Sequence, residues 1–219
     1  MPSPLELGPG GRGDPKDEVD PELLALPDPP RRERTLTVVV LGFAALLSLA
    51  MVFALRRDVA YALASSAPAS VGELRTAPAS TLAASENRLV EAEGMPGAAG
   101  GIRYERPFVD DTFRTLPVAG REDVWVDLRL PAGQESGRWE PPRAFAGRLV
   151  RFGQAGPRHR GLASAIERTT GRRIPADAWL LVDGEAPESA RWTILLAALF
   201  LGFAVWNAVA IARIVRPVR

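Results

Sequence analysis

Two long uncharged apolar runs constrain the fold of this 219-residue chain more than any other feature. Residues 35–55, TLTVVVLGFAALLSLAMVFAL, and residues 192–212, WTILLAALFLGFAVWNAVAIA, are each 21 residues long and contain no charge. A helix needs about 20 apolar residues to cross about 30 Å of hydrocarbon at about 1.5 Å per residue. The sequence therefore predicts two transmembrane helices, over residues 35–55 and within residues 191–213.

Each run has one alternative interpretation. The first could belong to a cleaved signal peptide, because residues 62–64, Ala-Leu-Ala, form a small-x-small pattern. Signal peptides have apolar regions of about 7 to 15 residues near the start of the chain, whereas this run is longer and follows a long tail. The second run could be a buried core helix, but a globular core of this size poorly explains its length. Both runs therefore favour membrane anchors.

Flanking arginines predict how the chain is threaded. Three precede and two follow the first run, and one precedes and three follow the second run: Arg31, Arg32, Arg34, Arg56, Arg57, Arg191, Arg213, Arg216 and Arg219. Basic residues stay on the cytoplasmic side, and loops beyond about 60 residues cross largely regardless of their charge. We therefore expect an integral protein of the cell (inner) membrane, with both termini cytoplasmic and residues 58–190 external or periplasmic.

The segments outside the apolar runs differ in composition. Residues 1–30 contain two basic and seven acidic residues, a net charge of −5, with many Pro and Gly residues. Such a segment cannot bury enough apolar surface to offset the entropy of ordering. Residues 1–34 are therefore predicted to be a disordered acidic tail and residues 214–219 a basic tail, both cytoplasmic. Residues 56–85 are predicted to extend the first helix and then form a linker.

Residues 86–190 are predicted to form a small external α+β domain. Residues 123–130, DVWVDLRL, alternate clearly, with Val124, Val126, Leu128 and Leu130 on one face and Trp125, Asp127 and Arg129 on the other. We expect the second face to be wet. Residues 88–94, 101–107, 147–152 and 178–184 suggest further strands, and residues 161–171 have helical spacing. The expected fold is a mainly antiparallel sheet or partly closed barrel with a packed helix, flanked by two transmembrane helices.

Few motifs suggest chemistry. The run GMPGAAGG, residues 94–101, could cradle a phosphate, but a strand pattern follows it where a helix should begin, so we interpret it as a hairpin connection. Asp110 and Asp111 are interpreted as a solvated turn. His159 is the only histidine, and the chain contains no cysteine. We therefore predict no disulfide, catalytic residue, metal site or cofactor.

Charge is unevenly distributed within the external domain. Residues 138–173 contain nine arginines and two glutamates, a net charge of +7, whereas residues 86–127 have a net charge of −4. The two regions could neutralise each other in surface pairs. Alternatively, a basic surface could meet anionic head groups or an acidic membrane partner. The candidate interaction surface comprises Arg148, Arg151, Arg158, His159 and Arg160, and nucleic acid is not expected because the domain is external.

The second apolar run contains Asn207 near its middle. An amide without a partner is costly in hydrocarbon, so Asn207 should face protein, although Asn can also simply be tolerated there. Gly42, Ala198 and Gly202 provide small surfaces for close contact between helices. These four residues are the predicted helix-packing positions, either within the chain, in a homo-oligomer or with a membrane protein partner.

The order of elements carries one resemblance. An anchor, an external sheet domain, a short helix and the strand WLLVDGEAP leading into a final membrane helix resemble the surfeit-locus family of cytochrome oxidase assembly factors. The Arg-Gly-Trp turn and the Asn-x-His-x-x-Tyr segment of that family are absent here. The resemblance implies an assembly role. From the residues alone we expect a non-enzymatic interaction or assembly protein, with an external sensor, an anionic-lipid-binding module or an enzyme as alternatives.

Overall fold

The computed structural model describes residues 31–97, 99–106, 109–130, 140–156, 159 and 161–216. They form an α+β fold in which a seven-stranded sheet lies between two long helices in chain order. Helix α1 covers Arg31–Ala62, and the last helix, α4, covers Trp192–Val215. Residues 31–34, assigned to a tail from the sequence, belong to α1. The rest of the predicted acidic tail, residues 1–30, lies outside the described residues.

The described residues between α1 and α4 include seven strands and two short α-helices. The strands are β1 (Ala69–Glu73), β2 (Arg88–Glu93), β3 (Ile102–Arg106), β4 (Val109–Val118), β5 (Arg121–Leu130), β6 (Ala144–Arg151) and β7 (Trp179–Asp183). Helix α2 covers Ala79–Ala84, and α3 covers Leu162–Thr170. Two strands were not predicted: β1 lies in the expected linker, and β4 contains the two aspartates that were interpreted as a turn.

The sheet is mixed and open. Its strand order is β1-β2-β6-β7-β5-β4-β3, with parallel pairing of β1 with β2 and of β5 with β7, and antiparallel pairing elsewhere. Because β1 and β3 form two separate edges, the expected barrel closure is absent from the described sheet. The hairpin interpretation of residues 94–101 is wrong, since β2 and β3 lie far apart in this order. Pro96 of that segment instead forms a bridge with Val118, at the end of β4.

Both faces of the sheet are covered, which changes the assignment of β5. Val124, Val126 and Leu128 contribute to one buried cluster with residues of β2, β6 and α2. On the opposite face, Trp125 packs into a second cluster with residues of β6, β7 and α3. The alternation was correct, but the expected wet face is wrong for Trp125 and Asp127, which are buried because α3 and its preceding loop cover that face.

The two long helices pack against each other in antiparallel orientation. At one end Arg34 donates a hydrogen bond to the carbonyl of Ile214, and at the other Tyr61 and Ala62 form a small cluster with Ala190. Buried or partly buried positions of both helices include a series spaced three or four residues apart: Val38, Leu41, Ala45, Ser48, Val52, Leu55 and Val59 in α1, and Thr193, Ala197, Phe200, Ala204, Asn207, Ile211 and Ile214 in α4. This spacing is typical of a narrow, left-handed helix–helix seam.

Outside this seam the long helices remain uncovered. Only 6% of the most apolar window of the first helix and 11% of that of the second are buried. A core helix of a globular domain would be covered by protein, so this observation does not support the core-helix alternative for the second run. The structure thus contains two helices that are long and apolar enough to cross a membrane.

Candidate functional site

Arg148, in the middle of β6, connects several polar groups of the described part of the domain. Its guanidinium lies 2.8 Å from an Asp58 carboxylate oxygen and 3.4 Å from a Glu185 carboxylate oxygen. It also donates to the side-chain oxygen of Asn87, at 2.6 Å from Nη2 and 3.0 Å from Nε, and it lies 4.5 Å from the ring centroid of Tyr61. Arg148 therefore joins the sheet to α1 and to the segment that leads into α4.

Asn87 and Tyr61 complete these connections. Asn87 has a positive φ of 59°, a conformation that Asn adopts more readily than most residues. In this geometry its amide nitrogen donates to the Arg57 carbonyl at 3.0 Å. The Tyr61 hydroxyl donates to the backbone carbonyl of Glu185. We call Arg148, Asp58, Glu185, Asn87 and Tyr61 the anchor network, since together they hold the sheet against the end of α1.

A second buried polar group surrounds Asp127 on β5, whose side chain is fully buried. Its Oδ1 accepts a hydrogen bond from Thr115 at 2.8 Å. Its Oδ2 accepts from the Tyr104 hydroxyl and from the Arg106 guanidinium, both at 2.8 Å. The Nε2 of His159 lies 3.6 Å from the same Oδ2 and 3.0 Å from Arg106 Nη2. We call these five residues the Asp127 cluster.

The Asp127 cluster keeps its carboxylate ionised. Burial by itself raises the pKa of Asp127, but the hydrogen bond and charge of His159, with the hydroxyls of Tyr104 and Thr115, lower it further than burial raises it. The net result is a pKa below the usual range of an aspartate. Burial, followed by the charge of Asp127, raises the pKa of the Tyr104 hydroxyl, so this group remains a donor.

A small cavity separates the anchor network from the Asp127 cluster. Its volume is about 80 Å³, enough for a few water molecules. It lies where α1 ends and α4 begins, and it is lined by Leu55, Asp58, Arg148, Ala155, Gly156, His159, Glu185, Ala190, Trp192 and Thr193. Groups from the sheet, from both long helices and from the loop before α3 therefore meet at one place.

The candidate basic surface is not a continuous exposed patch in the described structure. Arg148 and His159 are buried at 4% and 6% exposure, because they belong to the anchor network and the Asp127 cluster. Arg151 is partly exposed, lies 3.3 Å from a Glu86 carboxylate oxygen and stacks 4.8 Å from the Trp179 ring centroid. The other two residues of that surface, Arg158 and Arg160, lie outside the described residues.

Ion pairs between the basic and acidic regions favour the interpretation that the two regions neutralise each other. Arg151 contacts Glu86, and Arg172 lies 2.6 Å from a Glu122 carboxylate oxygen. Both pairs join residues 138–173 to residues 86–127. Exposed ion pairs of this kind contribute about 0–1 kcal/mol each, so they balance charge more than they stabilise the fold.

The predicted helix-packing residues separate into two groups. Asn207 is 2% exposed in the seam with α1, and Gly42 is partly buried on α1. The Asn207 amide donates to the Phe203 carbonyl of its own helix at 2.7 Å, which satisfies one amide donor without a bond to α1. Ala198 and Gly202 are exposed on α4, and a Cβ on Gly202 would meet nothing within 4 Å. These two residues therefore do not contribute to the contact between α1 and α4.

The residues that build the two polar groups were mostly missed from the sequence. Tyr104 and Asp127 were assigned to strands without a site, and Thr115 was assigned to no element. Asp58, Asn87 and Glu185 were assigned to the helix extension and connecting segments. One signal was available, since Asp127 stands among apolar residues in β5. Within the described residues, no group of three or more His, Cys, Asp or Glu side chains could hold a metal ion.

The fold and the site together define the structural class of this protein. It has an α+β sheet domain that buried ionic contacts join to a pair of helices apolar enough to cross a membrane. Comparison with models of known protein families, with curated proteins and with solved structures found no match for this chain.

Proposed function

We propose that this chain is a non-enzymatic two-pass membrane protein that presents its sheet domain, in a fixed orientation on the external face of the membrane, to a membrane protein complex. The anchor network is the observation that carries this proposal. Domains tethered by a flexible linker reorient freely, whereas Arg148 bonds to both the end of α1 and the segment before α4. A fixed orientation suits an interaction or assembly role.

Two further features support the proposal. The apolar surface of α1 and α4 outside their seam is available to lipid or to helices of a partner. The order of α1, sheet, α3, β7 and α4 also retains the arrangement that resembles the surfeit-locus family, and it supports an assembly role. In this proposal both termini are cytoplasmic, as the flanking arginines predict.

The experiment is quantitative co-purification of the full chain from its native membranes in mild detergent. We expect a companion protein, or a differently tagged second copy, at near-stoichiometric amounts. The double variant Asp58→Asn with Glu185→Gln removes both charges that hold Arg148 while keeping side-chain size. We expect it to reduce recovery of the companion at least about fivefold. For comparison, a tenfold change in affinity corresponds to about 1.4 kcal/mol of binding free energy.

The matched control is Glu73→Gln, which removes an exposed carboxylate that pairs with Arg75 at 3.5 Å. It should leave recovery unchanged. Circular dichroism of each purified variant shows whether the sheet domain remains folded. Absence of any companion with the unaltered chain, or equal recovery with the folded anchor variant, would contradict the proposed function.

A further inference from the structure

We propose that the edge of β3 is a contact between two copies of this chain, which pair antiparallel about Tyr104 and so join their sheets into one. The inference names a second copy as a partner, and it rests on the proposed function only in placing both copies in one membrane. It is carried by the position of β3 in the sheet, by the opposite charges of Arg103 and Glu105, and by the face of the sheet on which the long helices lie.

β3 forms one of the two edges of the described sheet. It pairs with β4 on one side, and no other described strand borders it. An edge strand presents a row of backbone donors and acceptors with which another strand can pair. The pairing of β3 with β4 runs without a register shift from Ile102 to Glu105. These residues therefore have the regular extended backbone that a further strand needs.

The other edge, β1, is less suited to such pairing. Its pairing with β2 shifts register between Ser70 and Gly72, and Gly72 has a positive φ of 75°. A bulge of this kind twists an edge strand and is a common protection of sheet edges against further pairing. Of the two described edges, β3 is therefore the one that favours pairing with a second copy.

The exposed side chains of β3 are self-complementary in charge. Arg103 and Glu105 are both exposed and lie on the same face of the strand, on either side of Tyr104. Arg103 donates to the Thr112 hydroxyl at 3.3 Å, which holds its side chain on this face. In an antiparallel pair centred on Tyr104, Arg103 of each copy lies opposite Glu105 of the other copy. Opposite charges directly across two strands stabilise their pairing, and the symmetry supplies this contact twice.

The same charges disfavour the neighbouring registers. Each face of β3 must stay on its own side of the joined sheet, so the register can move only in steps that keep Arg103 opposite residues of its own face. A pair centred on Arg103 places the two Arg103 side chains opposite each other, and a pair centred on Glu105 does the same with the two glutamates. Like charges directly opposite are destabilising, so the charges select the register about Tyr104.

The long helices are compatible with this symmetry. The two-fold axis of two antiparallel strands in one continuous sheet is perpendicular to the sheet, so it does not exchange the two faces. Arg148 lies on the same face as Val150 of the second buried cluster, and it bonds to Asp58 in the last turns of α1. The helices of both copies therefore lie on the same face of the joined sheet, which lets both copies insert into one membrane in the same orientation. Confinement in that membrane raises their effective concentration.

Disulfide cross-linking of the full chain in native membranes tests the register, because the native chain has no cysteine. One tagged copy carries Arg103→Cys, and a differently tagged copy carries Glu105→Cys. Directly opposite residues have Cβ atoms about 4.5–5.5 Å apart, close to the separation that a disulfide spans. This mixed pair also keeps one Arg103–Glu105 contact. We expect it to cross-link at least about fivefold more than either variant with itself. Ser70→Cys, exposed on β1, is the control and should not cross-link.

Charge reversal tests the pairing energy. Two differently tagged copies of the full chain, each purified and then mixed in mild detergent, measure self-association without any companion protein. Arg103→Glu and Glu105→Arg each place like charges opposite each other, so each should lower recovery of the second copy at least about fivefold. The double variant, Arg103→Glu with Glu105→Arg, restores both contacts and should recover the second copy to within about twofold of the unaltered chain. Circular dichroism shows whether each variant is folded.

Three results would overturn the proposal: equal cross-linking in all pairs of variants, no self-association of the unaltered chain, or a folded double variant as weak as the single reversals. If the chain fails these tests and still recovers a companion protein from native membranes, the contact between copies is wrong and the proposed function stands. If the expected pattern appears and no other protein is recovered, the contact is supported and presentation of the domain to a further membrane protein is contradicted.

Discussion

At the scale of single residues, two buried charges organise the domain. Arg148 and Asp127 lie on central strands of the sheet, where an unpaired charge would cost several kcal/mol. Each is surrounded by partners from distant parts of the chain, so each also fixes the relative position of those parts. A buried ion pair is weak evidence for stability, but breaking it by removing one partner is strongly destabilising.

The first prediction concerns Asp127→Ser. The change leaves Arg106 without its carboxylate and removes the acceptor for Thr115 and Tyr104, so we expect a loss of about 3 kcal/mol or more in the free energy of unfolding. Urea unfolding followed by tryptophan fluorescence measures it. The control Asp123→Ser removes an exposed carboxylate that pairs with Arg121 at 2.8 Å and should cost less than about 1 kcal/mol. Equal losses would contradict the assignment.

The pH dependence of Asp127 has a defined sign. Because the pKa of its carboxyl is lower in the folded chain than in the unfolded chain, the unfolded state binds more protons over that interval. The contribution of Asp127 to stability is therefore fully present above about pH 4 and is lost as the pH falls through the folded pKa. The difference in unfolding free energy between the unaltered chain and Asp127→Ser should shrink below pH 4.

At the scale of elements, the close approach of β6 and β7 places a strict demand on one position. Gly147 lies inside β6, opposite Asp183, rather than at the strand boundary that its turn-forming character suggested. A Cβ there would lie 1.9 Å from the backbone carbonyl oxygen of Val182. The two strands can pair at this position only because Gly147 has no side chain.

Gly147→Ala should therefore separate β6 from β7 locally and cost about 1–3 kcal/mol, the usual range for overpacking. Thermal unfolding monitored by circular dichroism would detect it. Gly94→Ala is the matched control, since its Cβ would meet Leu74 at an ordinary 3.4 Å, and it should cost less than about 1 kcal/mol. A variant at Gly147 as stable as the unaltered chain would show that the strands are farther apart than described.

At the scale of the whole molecule, the antiparallel seam of α1 and α4 brings the first and last described turns of the chain together. Arg34 and Ile214 meet at one end of the seam, and the sheet domain lies at the other. If both helices cross the bilayer, the chain ends lie on one side and the domain on the opposite side. This arrangement agrees with the orientation that the flanking arginines predict.

Cysteine labelling tests this topology directly, because the native chain has no cysteine. Ser80→Cys, at an exposed position in the first turn of α2, should react with a membrane-impermeant maleimide in intact cells. Ser3→Cys should react only after the membrane is permeabilised. The opposite pattern would place the sheet domain in the cytoplasm and would contradict the orientation that the flanking arginines predict.

The two apolar helices and the alternation of β5 can be predicted from the sequence alone, because length, lack of charge and periodicity are properties of contiguous residues. The strand order, the parallel pairs and the burial of both faces of the sheet depend instead on contacts between distant parts of the chain. His159 and Asp127 are 32 positions apart in the chain, and no local pattern indicates that the loop before α3 brings them together. The same reason applies to Arg148, whose partners come from α1, from Asn87 just before β2 and from the segment after β7. Long-range packing determines whether a polar residue faces water or a buried partner. For this reason the face of β5 that the sequence predicted to be wet contains the buried residues Trp125 and Asp127 in the structure.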